Sequence, residues 1–397
     1  MSKKWQLLHA TNFESLMYPC FTFCRIFSVF PYKFRASTFE ISKPRYILST
    51  IVTCICCIFD LFVLYNIISS KFNYEDIIRT LKIMFYFTFN GFIIIVTYIL
   101  SGPRMRLLQT ILEISSKLSQ ETYQNLSKLI HIKDILGNIF LIVQVFIYFF
   151  KIQIVQPNYL DIFIVLFAIY LALMVFQMNM LYMNCVYILK ACFKRINDRL
   201  LQIQKLMVND MKPSVSSLIF NQTERNQFLL IELKILKKQH SMISDTVQTL
   251  NVIFCLQLLA TIIISFSEIT FELYSYVVKW EDGIFISLDT QLIDAFFTSM
   301  LHYVIKLVLL IWICESSKNQ AQEINTIIHD VLNKTNDKRI RNELQLFCLQ
   351  ILHRKNTFSA KGLTVDATLF AAVSNCSFTL INRIYTMYFF ILFLDGA

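Results

Sequence analysis

The stretch from Phe358 to Ile381 holds the polar residues whose spacing points most directly to a function. Wound as a helix at about 100° per residue, it puts small and polar side chains on one stripe and large apolar side chains elsewhere. The stripe consists of Thr364, Thr368, Ala371, Asn375, Thr379 and Asn382. Such a helix either packs closely against neighbouring spans or lines a water-filled path between several copies. The pattern alone favours close packing.

Three ionisable residues, Asp60, Asp294 and Lys306, lie inside long apolar runs. A charge at such a place costs several kcal/mol and therefore indicates a function. We expect Lys306 either to pair with Asp60 or to extend its ammonium group to the membrane surface. The segment before Asp294 carries five acidic residues: Glu268, Glu272, Glu281, Asp282 and Asp289. They form either an acidic vestibule that concentrates cations or an ordinary solvated loop.

Aromatic and polar residues also gather in the predicted outer halves of the spans. An apolar pocket with a few polar groups is suited to a small molecule. The candidates are Phe87, Asn90, Tyr148, Phe149, Phe163, Ser265, Asp294, Phe296, Phe297, Thr298 and His302. For any one of these residues taken alone, lipid contact or packing between spans is a better explanation than ligand binding. The sequence therefore predicts a region rather than a defined pocket.

No catalytic constellation accompanies these candidates. The six histidines are scattered, and none stands at metal-ligand spacing from a Cys, Asp or Glu. A glycine-rich phosphate-binding loop is missing from the sequence. We therefore expect neither an enzyme nor a bound cofactor or metal, and no nucleic-acid partner.

The composition places the elements that carry these residues in a lipid bilayer. Hydrophobic residues make up 56% and charged residues 16% of the 397 residues, whereas soluble domains have about 25% charged residues. Seven apolar runs approach the roughly 20 residues needed to cross a bilayer. They are Tyr46–Ser69, Leu81–Leu100, Ile135–Phe150, Ile162–Leu189, Leu250–Ser267, Leu292–Cys314 and Leu363–Ile381. The predicted fold class is all-α, a polytopic membrane protein with seven transmembrane helices.

Basic residues set the expected orientation, because Lys and Arg concentrate on the cytosolic side. Residues 1–45, 101–134, 190–245 and 315–361 hold 30 Lys and Arg, whereas the connections on the opposite side hold 6. We therefore predict a cytosolic N-terminus and an extracellular C-terminus. The predicted divisions are a cytosolic segment 1–45, spans one to four in 46–189, a cytosolic helical extension 190–249, spans five and six in 250–314, a cytosolic helical anchor 315–361, and the seventh span with a short outer tail in 362–397.

Three of the predicted cytosolic segments are themselves helical in pattern. Apolar residues recur every three or four positions in Ala191–Asp210, Phe228–Val247 and Ala321–His353. Each segment either lies on the membrane surface with a basic face or buries its apolar face in a shared bundle. Because three such segments share one side of the membrane, we predict the bundle.

Two short motifs resemble those of the insect gustatory receptor family. Arg25-Ile-Phe-Ser-Val-Phe-Pro31 is similar to a segment that precedes the first span in that family. Phe358-Ser-Ala-Lys-Gly-Leu363, followed by Val365-Asp-Ala-Thr-Leu-Phe370, is similar to its entry into the seventh span. The ending departs from the family pattern: Thr379-Leu380 stands near its Thr-Tyr, Asn382 and Arg383 interrupt the apolar run, and no Gln-Phe follows.

The resemblance implies a taste receptor of the plasma membrane, expected in sensory dendrites, that acts as a ligand-gated, non-selective cation channel. Four subunits, identical or from sister gustatory receptors, would join through cytosolic helices and surround a pore for cations. A small-molecule tastant would bind in the outer half of each subunit. The resemblance favours pore lining over packing for Thr364, Thr368, Ala371, Asn375 and Thr379. Apolar Val365, Leu369 or Val373 would supply a gate if the helix rotates.

Two other functions stay open on the sequence. A G-protein-coupled receptor also has seven spans, but it needs an outside N-terminus, and its Asp-Arg-Tyr and Asn-Pro-x-x-Tyr motifs are missing. A secondary transporter, which is less favoured, would show an internal repeat with spans broken by Gly or Pro. The sequence shows neither feature.

Overall fold

The structure is a computed structural model that describes residues 8–35, 38–69, 77–153, 159–208, 218–281, 290–335, 337–369, 371–376 and 379. The helices with assigned bounds are α1 (Phe13–Ile26), α2 (Lys43–Ser69), α3 (Ile77–Ile99), α4 (Ser101–Ser115), α5 (Gln120–Gln153), α6 (Tyr159–Val208), α7 (Leu218–Glu281), α8 (Thr290–Lys334) and α9 (Lys338–His353). Two short hairpins join β1 (Tyr32–Arg35) to β2 (Thr38–Ile41) and β3 (Ser359–Ala360) to β4 (Leu363–Thr364). The predicted all-α class is confirmed.

Six of these helices, α2, α3, α5, α6, α7 and α8, are long and apolar enough to cross a membrane. They confirm the predicted spans one to six. At 1.5 Å per residue, the 50 residues of α6, the 64 of α7 and the 45 of α8 reach about 75, 95 and 70 Å. Because the hydrocarbon core is only about 30 Å thick, these three helices continue far outside it.

The predicted seventh span is described only in part. A shorter apolar helix, here called the last helix, runs over Ala367–Cys376. Of the residues that follow it, the structure describes only Thr379. The predicted end of the span at Ile381, and the atypical tail beyond it, lie outside the described residues.

In the N-terminal segment, α1 packs on the start of α5 and the β1–β2 hairpin packs on α4. A capping box begins α1, because Ser15 N donates to Asn12 Oδ1 while Ser15 Oγ accepts from Asn12 N. His131 of α5 accepts from Leu8 N through Nδ1, so its protonated Nε2 donates to Leu16 O at 3.0 Å. These bonds bury His131 in the part of α5 that precedes the predicted span start at Ile135, and the helix itself begins earlier, at Gln120.

The parts of α6, α7 and α8 outside the apolar runs, residues 190–208, 218–249 and 315–334, pack together with α9. We call this unit the base bundle. Its core residues are each at most 3% exposed: Phe193, Ile196, Leu200, Ile203, Leu229, Leu233, Leu236, Ile324, Ile328, Val331, Ile340, Leu344 and Phe347. The prediction of a shared bundle is confirmed, and the alternative of three separate membrane-surface helices is wrong.

Asp60 of α2 lies against a glycine of α3. Its side chain is only 8% exposed, and its Oδ1 has no hydrogen-bond partner among the described residues. A methyl group added at Gly91 would lie 2.2 Å from Asp60 Oδ2, well inside van der Waals contact. The absence of a side chain at Gly91 therefore allows α2 and α3 to approach with a carboxyl group between them.

We expect Gly91→Ala to lower the thermal unfolding midpoint of the detergent-solubilised chain, because the added methyl group must displace the Asp60 carboxyl at a cost of about 1–3 kcal/mol. Asp60→Ala in the same chain should restore part of the loss. Gly102→Ala is the matched control, since a methyl group there meets no atom within 4 Å. Equal unfolding midpoints for the Gly91→Ala and Gly102→Ala variants would contradict the close approach of the Asp60 carboxyl to Gly91.

Candidate functional site

A hairpin precedes the last helix and fixes where it starts. Ser359 pairs with Thr364 and Ala360 with Leu363. Lys361 and Gly362 form the turn with φ of 50° and 87°, and positive φ at both positions is typical of a type I′ hairpin, in which glycine has no steric penalty. The prediction that the helix already includes Leu363 and Thr364 is therefore wrong. Thr364 is exposed on a strand and is not part of the helical stripe.

Asn251 of α7 holds this hairpin with both ends of its side-chain amide. Its Nδ2 donates to the Thr357 carbonyl at 2.7 Å, and its Oδ1 accepts from Ser359 N at 3.3 Å. Phe358 is 2% exposed, and its carbonyl accepts from Val365 N at 2.9 Å. The chain thus enters the last helix beside the point where the apolar run of α7 begins.

Asp366 joins the last helix to α8. Its Oδ1 accepts from Thr368 N at 3.1 Å, which caps the first turn. Its Oδ2 lies 3.7 Å from Lys318 Nζ of α8, which also pairs with Glu315 at 3.5 Å. In the sequence, Asp366 was noted only as part of the motif Val365–Phe370. An Asp at the start of an apolar run is itself a signal for a helix cap.

The two sides of the last helix have different surroundings. Leu369 and Val373, together with Val365 just before the helix, are buried in the main hydrophobic core at 4%, 9% and 2% exposure. The described residues that remain in the stripe, Thr368, Ala371, Asn375 and Thr379, are all exposed on the single chain. The polar stripe is therefore free of contact with the core of its own chain. The apolar residues predicted as a gate pack inward in this conformation.

Four of the predicted ligand-pocket residues, Phe87, Asn90, Ser265 and His302, lie in the half of the bundle away from the base bundle, and Phe87 is 2% exposed. Asn90 is 3% exposed and donates to Tyr86 O at 2.7 Å, and Ser265 is fully buried and donates to Thr261 O at 2.8 Å. The His302 ring stacks on Phe140 with centroids 5.9 Å apart. Phe163, in contrast, is 63% exposed on the outside of α6, which does not support a place for it in a pocket.

The other predicted pocket residues fall where the structure gives the backbone alone. Tyr148 and Phe149 belong to α5, and Asp294, Phe297 and Thr298 belong to α8. Their side chains, like that of Phe296, lie outside the described residues. Their part in a ligand site stays a prediction.

A group of four charged side chains crosses the same half of the bundle. Lys82 of α3 lies 3.4 Å from Glu268 and 2.5 Å from Glu272 on α7. Lys306 of α8 attracts Glu268 electrostatically, and its Nζ lies 5.7 Å from the centre of the Tyr303 ring. Among the described residues no ion pair joins Lys306 to Asp60, whose Oδ1 has no hydrogen-bond partner, so the first of the two alternatives for Lys306 is not found.

The same arrangement bears on two of the five acidic residues of the possible vestibule, whereas the side chains of Glu281, Asp282 and Asp289 lie outside the described residues. Glu268 and Glu272 belong to α7, which continues to Glu281, and Lys82 compensates their charge. Lys82 was not singled out from the sequence, although it is the second residue of the predicted span Leu81–Leu100 and a charge at such a place is itself a signal.

These features define a multi-pass helical membrane protein whose last helix turns a polar side away from its own core. A family model described as 7tm Chemosensory receptor matches residues 17–381. The chain belongs to this family, which is a family of receptors and not of enzymes. The predicted membership in the seven-transmembrane chemoreceptors is confirmed.

Two proteins of Drosophila melanogaster are similar to part of the chain. Gustatory receptor 28b is 29% identical over 142 residues, which are 34% of this chain and 30% of that protein. Gustatory receptor 28a is 32% identical over 145 residues, which are 35% of this chain and 31% of that protein. The matched stretch thus spans about a third of the length of these relatives.

Solved structures of the olfactory receptor OR5 from Machilis hrabei share the fold. The complex of OR5 with eugenol superimposes with a TM-score of 0.69 and 11% identity, over 94% of this chain and 97% of OR5. A second structure of OR5 superimposes with a TM-score of 0.64 and 11% identity, over 93% of this chain and 97% of OR5. At this identity the likeness shows a common fold alone.

We expect Asp366→Asn and Lys318→Gln each to lower the thermal unfolding midpoint of the solubilised chain, and the double variant to lose less than the sum, because both changes remove one ion pair. Asp366→Ala should lower the free energy of unfolding by about 1 kcal/mol more than Asp366→Asn does, because Asn still caps a helix and Ala does not.

Scanning fluorimetry of the purified variants measures these midpoints. Asp330→Asn, which changes an exposed carboxylate on the same α8, is the matched control and should leave the midpoint unchanged. Strictly additive losses in the Lys318→Gln, Asp366→Asn double variant would show that the two residues do not act on each other.

Proposed function

We propose that this chain is a gustatory receptor that forms a ligand-gated, non-selective cation channel. The observation that carries the proposal is the last helix, which buries Leu369 and Val373 and leaves Thr368, Ala371 and Asn375 exposed. Polar side chains of a membrane helix avoid lipid. A second surface must therefore cover this stripe, and water at the axis of an oligomer is the cover that a channel provides.

The proposed assembly is a tetramer, of this chain alone or with sister receptors, with the last helices around the axis. The N-terminus and the base bundle face the cytosol, as the distribution of 30 against 6 basic residues supports. Lys318 of the base bundle and Asn251, just beyond it on α7, hold the last helix and the hairpin before it. Contacts between base bundles of neighbouring subunits therefore set the distance of the last helices from the axis.

The proposed tastant binds in the outer half of each subunit, among Asn90, Ser265 and His302. These residues offer amide, hydroxyl and imidazole groups inside an apolar and aromatic surrounding, which is the usual make-up of a small-molecule site. The side chains Tyr148, Phe149, Asp294, Phe297 and Thr298 are further proposed members. The tastant shifts the equilibrium to the open state by binding that state more tightly.

Gating in this proposal turns or displaces the last helix. Leu369 and Val373 pack on the core in the described conformation. A rotation that moves them relative to the axis changes the width and polarity of the path, so that an apolar ring excludes water in one state and not in the other. Asp366 caps the first turn of the last helix and pairs with Lys318. This end of the helix therefore stays fixed while the rest moves.

The test is heterologous expression of the full chain, alone and with sister receptors, with a panel of sugars and bitter compounds while cation current is recorded. In a Cys376→Ala background, which removes an exposed thiol beside the stripe, Asn375→Cys should make the evoked current sensitive to a cationic thiol reagent. Leu369→Cys is the matched control, because its side chain is buried, and it should not react without tastant.

An evoked current that the reagent leaves unchanged in the Asn375→Cys variant would contradict pore lining. So would a Leu369→Cys variant that reacts as fast as Asn375→Cys in the closed state. Faster reaction of Leu369→Cys while tastant is present would support a gate that rotates.

A further inference from the structure

A pocket lies in the base bundle, outside every site described above. It is formed where the end of α4 and the turn after it meet α6 and α7. It is a shallow depression of about 310 Å³ when the part open to solvent is counted, and its enclosed part, about 20 Å³, has room for about one water molecule. The lining residues are Ile114, Lys117, Leu118, Cys192, Arg195, Gln239, Met242 and Ile243.

The pocket combines an apolar wall with two cationic side chains. Ile114, Leu118, Cys192 and Ile243 are all buried, whereas Lys117 is exposed and Arg195 is half-buried. The lining contains no acidic residue. Among the described residues, neither Lys117 nor Arg195 forms an ion pair.

The charge of Arg195 is held in an unfavourable surrounding. Burial and repulsion from Arg199 lower the pKa of the Arg195 guanidinium, against a weaker attraction by Glu232. The Glu232 carboxylate is itself 3.7 Å from Arg199 Nη1. An anion in the pocket would relieve this repulsion and give Arg195 the partner that the chain does not provide.

The pocket also lies at the depth of a lipid headgroup. At 1.5 Å per residue, Cys192 is about 5 Å beyond the end of the apolar run at Leu189, and Ile243 is about 10 Å before its start at Leu250. The headgroup layer extends about 5–7 Å from the hydrocarbon core on each side. A headgroup that carries further phosphates beyond its phosphodiester reaches this depth, whereas a small headgroup ends above it.

We propose that this pocket binds the multiply phosphorylated inositol headgroup of an inner-leaflet lipid, with Lys117 and Arg195 on its phosphates. The assignment of the inner leaflet rests on the cytosolic base bundle of the proposed function. Anionic lipids of the cytosolic leaflet attract basic segments of membrane proteins. Because α4, α6 and α7 all contribute to the pocket, a bound headgroup ties the base bundle to the bilayer surface.

The test uses the full chain, purified in detergent, and a fluorescent dioctanoyl phosphatidylinositol bisphosphate whose anisotropy is followed on titration. We expect saturable binding that weakens about fivefold or more in Lys117→Gln and in Arg195→Gln, because each removes one charge on the headgroup. Arg195→Lys should keep most of the affinity. Lys128→Gln and Lys194→Gln, which change exposed lysines outside the lining, are the matched controls and should bind like the parent chain.

The competitors distinguish the source of the phosphate. Free inositol trisphosphate that competes as well as the unlabelled lipid would overturn the lipid assignment in favour of a soluble ligand. Dioctanoyl phosphatidylserine that competes equally would overturn the requirement for extra phosphates. Absence of saturable binding, or equal binding by Arg195→Gln and Lys194→Gln at unchanged unfolding midpoints, would overturn the site itself. The titration needs no current, so its failure is separate from a failure of the proposed channel.

Discussion

The attachment of the last helix to the base bundle is the constraint on which the rest of the arrangement depends. A membrane helix with one polar and one apolar side can turn either side to its neighbours, and burial of a few apolar residues decides the choice. Here the side-chain amide of Asn251 fixes the hairpin through hydrogen bonds to backbone groups of Thr357 and Ser359, and Asp366 caps the helix while it faces Lys318. With the entry fixed, Val365, Leu369 and Val373 are directed into the core, and the stripe must point away from it.

In the half of the bundle away from the base bundle, charged side chains lie among apolar helices and need partners. Glu268 is 5% exposed, and a buried carboxylate without a partner would cost several kcal/mol. Lys82 and Lys306 approach it from α3 and α8, so three spans share one electrostatic network. Because the network lies near His302 along α8 and near Ser265 along α7, a movement of one span would change the surroundings of the proposed ligand site.

Features with a local periodic signal were predictable from the sequence. Phe193, Ile196, Leu200 and Ile203 recur at helical spacing, and the structure buries all four in the base bundle. The spans followed from the length of apolar runs, although their ends did not, because helices such as α7 continue as amphipathic helices past the apolar run. The start of the last helix was missed because a two-residue strand, Leu363–Thr364, has no periodicity to recognise.

Contacts between distant parts of the chain were not predictable in the same way. The bond from Asn251 to Thr357 joins residues 106 positions apart, and the pair of Lys82 and Glu272 joins residues 190 positions apart. One sequence states which residues are charged or polar but not which spans are neighbours. Asp60 was therefore a possible partner of Lys306 on the sequence although no ion pair joins them among the described residues, and the pairing of Lys82 with α7 could not be foreseen.

The most direct measurement of the central claim is a cryo-electron microscopy map of the full chain in lipid nanodiscs, at a resolution that shows side chains. The account predicts several copies around one axis, with Thr368, Ala371 and Asn375 facing the axis and Leu369 and Val373 facing the core of each subunit. A map in which this stripe contacts lipid, or in which the chain is a monomer, would contradict it.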